Sequence, residues 1–438
     1  MGDAHSIPPA GGSDSNASGS MAPSGRQLVH AGVLADANGA HVPGALLLEG
    51  GRIIAAGAPG SIGPVGDDVA LLDHREHLVC PPFVNAHVHL DLSDLEAPAE
   101  MGSFQAWLWG VLRHRKAQEE AGAVERAVEI GAKASLAGGC PFVADICGSD
   151  RALEALYRTG LGGLGCLEVI GHGDRTASGL ERIRDLAARD CGAGRIMPGI
   201  SPHAPYSTGA ELYDAASASG RQVVTHLAES RAEVEWCLRG AGAFAAMLEQ
   251  SGYDPDQVTP PGRHPIDSVL PLMPGGRGVV VHLNYAEPRH LELLADHGVT
   301  VVFCPRASRY LGHPDESAPP HAWRAMLEHG IPVALGTDGR PCLPGPGVRG
   351  RRLSVLDDAL ALCAFEGARL EEWLPMATVH GARALGLDPD EVTLAPGPKS
   401  GLLSIPLLDI EAGLPDPEGG VDWLLRDLDR VPAWVSGA

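Results

Sequence analysis

The chain of 438 residues has almost no lysine: Lys116, Lys133 and Lys399 are the only three, and arginine supplies the rest of its 33 positive charges. Against these stand 55 aspartates and glutamates, for a formal charge of −22. So acidic a surface repels phosphate groups, which argues against nucleic acid or an anionic membrane as partner. No apolar run approaches the ~20 residues of a membrane span, since stretches such as VVVHLNY and VALGTDG are soon interrupted. There is no CxxC pair, which excludes a thiolate zinc ribbon. The nine cysteines are odd in number and set in apolar runs such as VVFC and ALALC, a pattern of buried reduced thiols in a cytoplasmic protein. Residues 1–26 have neither the basic start nor the apolar stretch of a signal sequence and read as a disordered tail, with Met21 as an alternative start. No internal repeat is visible.

What is present, with 44% hydrophobic residues, is a globular chain long enough for about two or three domains. Residues 27–80 hold short apolar runs (ALLLEG, RIIAAG, VALLD) separated by Gly, Pro and Asp turns, as expected of small antiparallel strands. Similar runs follow Gly401, so residues 27–80 and 391–438 are predicted to form one β-sandwich from both chain ends. Between them, residues 81–390 alternate strand-like and helix-like segments. The strand candidates are FVNAHVHL (83–90), PFVADI (141–146), LGCLEVI (164–170), MPGISPH (197–203), VVTHLAE (223–229), VVVHL (279–283), TVVFC (300–304) and PVALGTD (332–338). Eight strands, each followed by an amphipathic stretch such as GLERIRDLAARD or RHLELLADHG, predict an α/β fold: a (β/α)8 TIM-type barrel, with a doubly wound open sheet as its competitor. Residues 231–276 are too long for one crossover and are predicted to shape the barrel mouth. GLGGLG at 160–165 matches GxGxxG literally, but it follows a helix and precedes a strand, the reverse of the dinucleotide-binding order.

His87 and His89 lie at i and i+2, on one side of the first barrel strand, and together can hold a metal ion. The pair gains meaning from its company: His226, His282 and Asp338 lie at the C-terminal ends of strands five, six and eight, where barrel enzymes place their catalytic groups. Histidines and an aspartate without thiolate suit one catalytic divalent ion, Zn²⁺ first and Fe²⁺ second, which acidifies a water molecule. Glu229, three residues beyond His226, is placed to transfer protons. His203 in SPHAPYS ends strand four, as a substrate contact or a structural histidine.

The motifs PPFVNAHVHL, SPHAPYS, THLAES, VVVHLNY, VVFCPRAS, VALGTDG and ATVHGARALGL together resemble the amidohydrolase superfamily, in its mononuclear aminohydrolase (deaminase) branch. The resemblance runs from Gln27 to the C-terminus. It implies that His87, His89, His226 and Asp338 are metal ligands and that Glu229, His282 and Asp338 handle protons. It implies hydrolytic deamination of an aromatic N-heterocycle, a small-molecule substrate, and compatibility with a homo-oligomer. GSFQAWLWGVLRHRK resembles the region that packs over substrate in deaminases of adenosine derivatives, so Trp107 either stacks on a purine or packs its helix. NAHVHLDLSDL with CPRASRYLGH is similar to aminodeoxyfutalosine deaminases, which with the S-adenosylhomocysteine type points to an adenosine derivative. Two features depart from the pattern: Gly339-Arg340-Pro341 follows Asp338 where many relatives have serine, and PGPKSGLLSI lacks the usual aspartate. Binuclear relatives carry a bridging carboxylated lysine or a glutamate near strands three to four. No lysine lies there, which favours one metal. The alternatives are a triazine-type chlorohydrolase or amide-cleaving hydrolase using the same ion, and a non-catalytic relative.

Overall fold

Alternating apolar positions and short β-branched runs give two sheets in the computed structural model, which describes residues 25–66, 69–98, 102–189, 194–343, 352–398, 400–407 and 432–435. The expected tail lies outside the described residues up to residue 24, and so do Cys191 and Lys399. The first sheet draws on both chain ends. Its order is Gly397–Pro398, Arg52–Gly57, Gly44–Glu49, Arg26–Asp36, Ala70–Cys80, Leu403–Pro406 and Ala433–Trp434, with Gly39–His41 added on Arg26–Asp36. Most neighbours are antiparallel as expected, but Arg26–Asp36 and Ala70–Cys80 are parallel. The hairpin Gly44–Gly57 packs on one edge of Arg26–Asp36, and the chain then crosses to the other edge in the same direction. Leu403–Pro406 pairs antiparallel with Ala70–Cys80.

The second sheet is parallel and curled. Its strands are Val84–His89, Phe142–Cys147, Gly162–Val169, Ile196–Pro202, Val223–Leu227, Gly278–His282 and Thr300–Phe303, followed by an eighth segment split into Val333–Leu335 and Asp338–Gly339. The two halves of this last segment bond opposite ends of the sheet: Val333–Leu335 pairs with Thr300–Phe303, and Asp338–Gly339 with Val84–His89. The curvature is consistent with a TIM-type barrel. The strands are buried along almost their whole length, as parallel strands covered by helices must be. All eight strand candidates are present, and the glycines of GLGGLG open the third strand rather than a phosphate loop.

The predicted helices form between the strands, among them Val124–Ala137, Thr176–Ala188, Ala210–Ala218 and His290–His297. The insertion at 231–276 folds into short helices, Arg231–Arg239, Ala243–Gln250 and Pro265–Val269. Its Phe244 stacks on Tyr206 with ring centroids 3.7 Å apart, so the insertion supports the mouth from behind. The eight described cysteines are buried. Among the described residues, no helix is long and apolar enough to cross a membrane.

Candidate active site

His87 and His89 leave the first strand on one side, with ring centroids 5.0 Å apart, and meet His226 from the fifth strand. His226 Nε2 lies 3.3 Å from His89 Nε2. Asp338 reaches the same point from the eighth strand, its Oδ1 3.7 Å from His87 Nε2 and 3.5 Å from His89 Nε2. His282 completes the group at 5.5 Å from the His87 ring and 5.6 Å from the His226 ring. All these side chains are buried. Non-glycine residues with left-handed φ cluster here: Ala228 (50°), His282 (76°), Leu283 (51°) and Asp338 (59°). Such backbone costs of order 1–3 kcal/mol per residue and persists where surrounding structure enforces it, typically at functional sites. Gly336 has a different reason: a Cβ there would stand 2.8 Å from His87 Cβ, so only glycine lets the eighth strand pass.

The donor set fits a divalent ion. His87 Nδ1 and Nε2 and His282 Nε2 are buried without any hydrogen-bond partner, which is costly unless something completes them. His226 Nδ1 lies 2.8 Å from the carbonyl oxygen of His203, so it carries the proton and leaves the Nε2 lone pair free for a metal. Burial first, then the neighbouring imidazoles, lowers His226 well below the usual histidine range and takes His89 and His282 down to about 3. These rings are therefore neutral, the metal-binding form. Burial works against ionisation of Asp338, but His87, His89 and His282 outweigh it and hold the carboxyl well below its usual range. Among the described residues, the groups able to hold an ion are His87 with His226 and His282, His87 with His89 and Asp338, and Glu229 with His282 and Asp338.

Glu229 follows the fifth strand, its Oε1 3.7 Å from His282 Nε2. Its backbone N–H donates to Glu233, and its carbonyl accepts from Asn284 at 3.0 Å, which sets its position. Burial, with Asp338 and Glu233 adding, pushes its carboxyl well above the usual range, which favours the protonated form beside the histidine and aspartate cluster.

The cleft above the cluster is lined by these residues and by Phe104, Trp107, Leu108, Val111, His203 and Tyr206 among others. Trp107 belongs to the helix Phe104–Ala121, which starts where Ser103 Oγ accepts from the Ala106 amide. Its indole N–H donates to the Pro341 carbonyl at 3.1 Å, and its ring stacks on Phe104. Trp107 therefore both packs and lines the cleft. The unusual Arg340 pairs with Glu96, and it is Pro341 that anchors Trp107.

Sequence reasoning missed several supporting residues. Asn85, two positions before His87, donates to Thr337 Oγ1 at 2.8 Å and accepts from the Thr337 amide at 3.0 Å, fixing the strand that carries Asp338. Asn85→Ala would strand the buried Thr337 amide, and the expected cost is about 1–3 kcal/mol in chemical denaturation. An unchanged midpoint would make Asn85 a mere filler. Glu168, near the end of the third strand, lines the same cleft. Here Arg115 holds its Oε2 at 2.9 Å, and it joins none of the metal-capable groups. Asking the strand-end question of LGCLEVI would have found it.

The profile of the Amidohydrolase family matches residues 78–417. The chain belongs to the amidohydrolase family. It is 28% identical over 380 residues to a 5-methylthioadenosine/S-adenosylhomocysteine deaminase of Symbiobacterium thermophilum, covering 83% of this chain and 80% of that one. It is also 28% identical over 320 residues to an aminodeoxyfutalosine deaminase of Deinococcus radiodurans, covering 68% and 72%. Helicobacter pylori aminofutalosine deaminase, solved with methylthio-coformycin, shares the fold at a TM-score of 0.73 and 19% identity, over 94% of this chain and 98% of that one. Like its family, the chain is a metal-dependent hydrolase acting on carbon–nitrogen bonds.

Proposed function

We propose that this amidohydrolase removes the exocyclic amine of an adenosine derivative, of the S-adenosylhomocysteine or aminodeoxyfutalosine type, releasing ammonia. The observation that carries the reading is the buried Glu229 carboxyl, facing the same cleft as the histidine and aspartate cluster. The names of the relatives support the substrate class. In this reading the described parts of residues 81–390 form a (β/α)8 barrel, and those of residues 27–80 with 391–438 a small sandwich.

His87, His89, His226 and Asp338 would hold one divalent ion, Zn²⁺ by preference for nitrogen and oxygen donors and Fe²⁺ as the second choice. Such an ion supplies a water that is nucleophilic at neutral pH. Asp338 would accept a proton from the attacking water and pass it to the exocyclic amine, which leaves as ammonia. Glu229 donates its carboxyl proton to the ring nitrogen beside the reacting carbon, which makes that carbon electrophilic. His282 Nε2, otherwise unpartnered, orients the attacking oxygen, and His203 contacts the substrate.

Trp107 is assigned to the face of the purine. An aromatic stack is worth about 0.5–1.5 kcal/mol, so Trp107→Ala should raise KM roughly 2- to 10-fold with a smaller effect on kcat. Steady-state kinetics against an adenosine derivative checks this. A lowered unfolding temperature with KM unchanged would leave the indole a packing role only. The whole assignment is tested by measuring ammonia release from adenosine derivatives.

A further inference from the structure

One wall of the cleft has a hydrogen-bonding capacity that deamination itself does not use. Glu168 ends the third barrel strand and lines the cleft beside His203. Its Oε2 accepts from Arg115 at 2.9 Å, and Arg115 is held in turn by Asp91 at 3.0 Å, so the carboxylate cannot turn away. Its Oε1 is buried and has no hydrogen-bond partner. Across from it stands His203 Nε2, 3.8 Å away and beyond hydrogen-bond distance. The far side of the His203 ring is fixed by Ser207, whose Oγ lies 2.7 Å from Nδ1. A buried carboxylate oxygen without a partner is rare and calls for a group that completes it.

Two atoms 3.8 Å apart can both lie within hydrogen-bond distance of one oxygen placed between them. A hydroxyl suits this position because it donates to Glu168 whatever the state of His203. Its lone pairs accept from Nε2–H in one tautomer, and a vicinal hydroxyl donates to bare Nε2 in the other. A carboxylate or phosphate would meet an anion here.

We propose that Glu168, anchored by Arg115, sets specificity by accepting a hydrogen bond from a hydroxyl on the sugar attached to the ring. The substrate is then a hydroxylated N-glycoside rather than a free base or a triazine. This rests on the deaminase reading above.

The test compares ammonia release from adenosine and 5′-methylthioadenosine with release from their 2′,3′-dideoxy counterparts. In Glu168→Gln, Arg115 takes the amide oxygen and turns the NH₂ towards the cleft, replacing the acceptor with a donor. The wild type should prefer the hydroxylated substrates by roughly 10- to 100-fold in kcat/KM, the usual value of a hydrogen bond to a charged group. In Glu168→Gln that preference should collapse, with metal content and unfolding temperature unchanged. Glu168→Asp keeps a carboxylate for Arg115 but withdraws it from the cleft, and should lose the preference too. An undiminished preference in both variants overturns the proposal, as does an equal loss on all substrates with a lowered unfolding temperature. If the wild type deaminates no nucleoside, the deaminase reading falls and this assignment with it. A selective wild type with equally selective variants sinks this assignment alone.

Discussion

Glu229→Gln should cut turnover by about 10² to 10⁴, the usual contribution of a positioned acid or base, while leaving metal content and unfolding temperature unchanged. Glutamine has the size of the neutral carboxyl and leaves the backbone contacts to Glu233 and Asn284 intact, so the site keeps its shape. What it lacks is an acidic proton. Burial next to Asp338 favours the protonated form of Glu229, and the carboxyl lines the cleft proposed to take the substrate. The loss should appear in kcat, because the proton is transferred in the transition state. Near-normal turnover in this variant would leave Glu229 a buried structural carboxyl and favour hydrolysis of substrates that need no ring protonation.

His226→Ala should behave differently, losing metal and activity together. The wild type is expected to carry about one equivalent of Zn²⁺ or Fe²⁺ per chain, because the histidines and Asp338 converge on one point and Glu168 is held away by Arg115. Removing His226 deletes the imidazole whose Nε2 is presented by the Nδ1–H bond to the His203 carbonyl. Ammonia release should fall to background, and added metal should not restore it. Elemental analysis beside the activity assay separates the two variants: one keeps its metal and loses turnover, the other loses both. A His226→Ala protein with full metal content would remove this residue from the ligand set.

The chemistry of this chain was legible in its sequence wherever strand direction alone decides a side chain's place. HVH on one strand, and His226, His282 and Asp338 at strand ends, could be found by counting, because parallel strands deliver their C-terminal residues to one mouth. Partners distant in sequence were not legible. Arg115 lies in a helix that reads as RHRK, and only folding sets it against Asp91 and Glu168. Asn85 looks like any polar residue in FVNAHVHL until Thr337 is placed beside it. The parallel pairing of Arg26–Asp36 with Ala70–Cys80 was missed because local pattern marks strands without naming their neighbours. The eighth strand was read as continuous, but Asp338 takes a left-handed φ and the strand breaks before it.

The most direct test of the account is ammonia release by the purified, metal-loaded protein across adenosine derivatives, guanine, cytosine and chlorinated triazines. The expected result is one ammonia and one hypoxanthine-type product per adenosine derivative consumed, abolished when a chelator strips the metal. Chloride released from triazines with no ammonia from any adenosine derivative would contradict it.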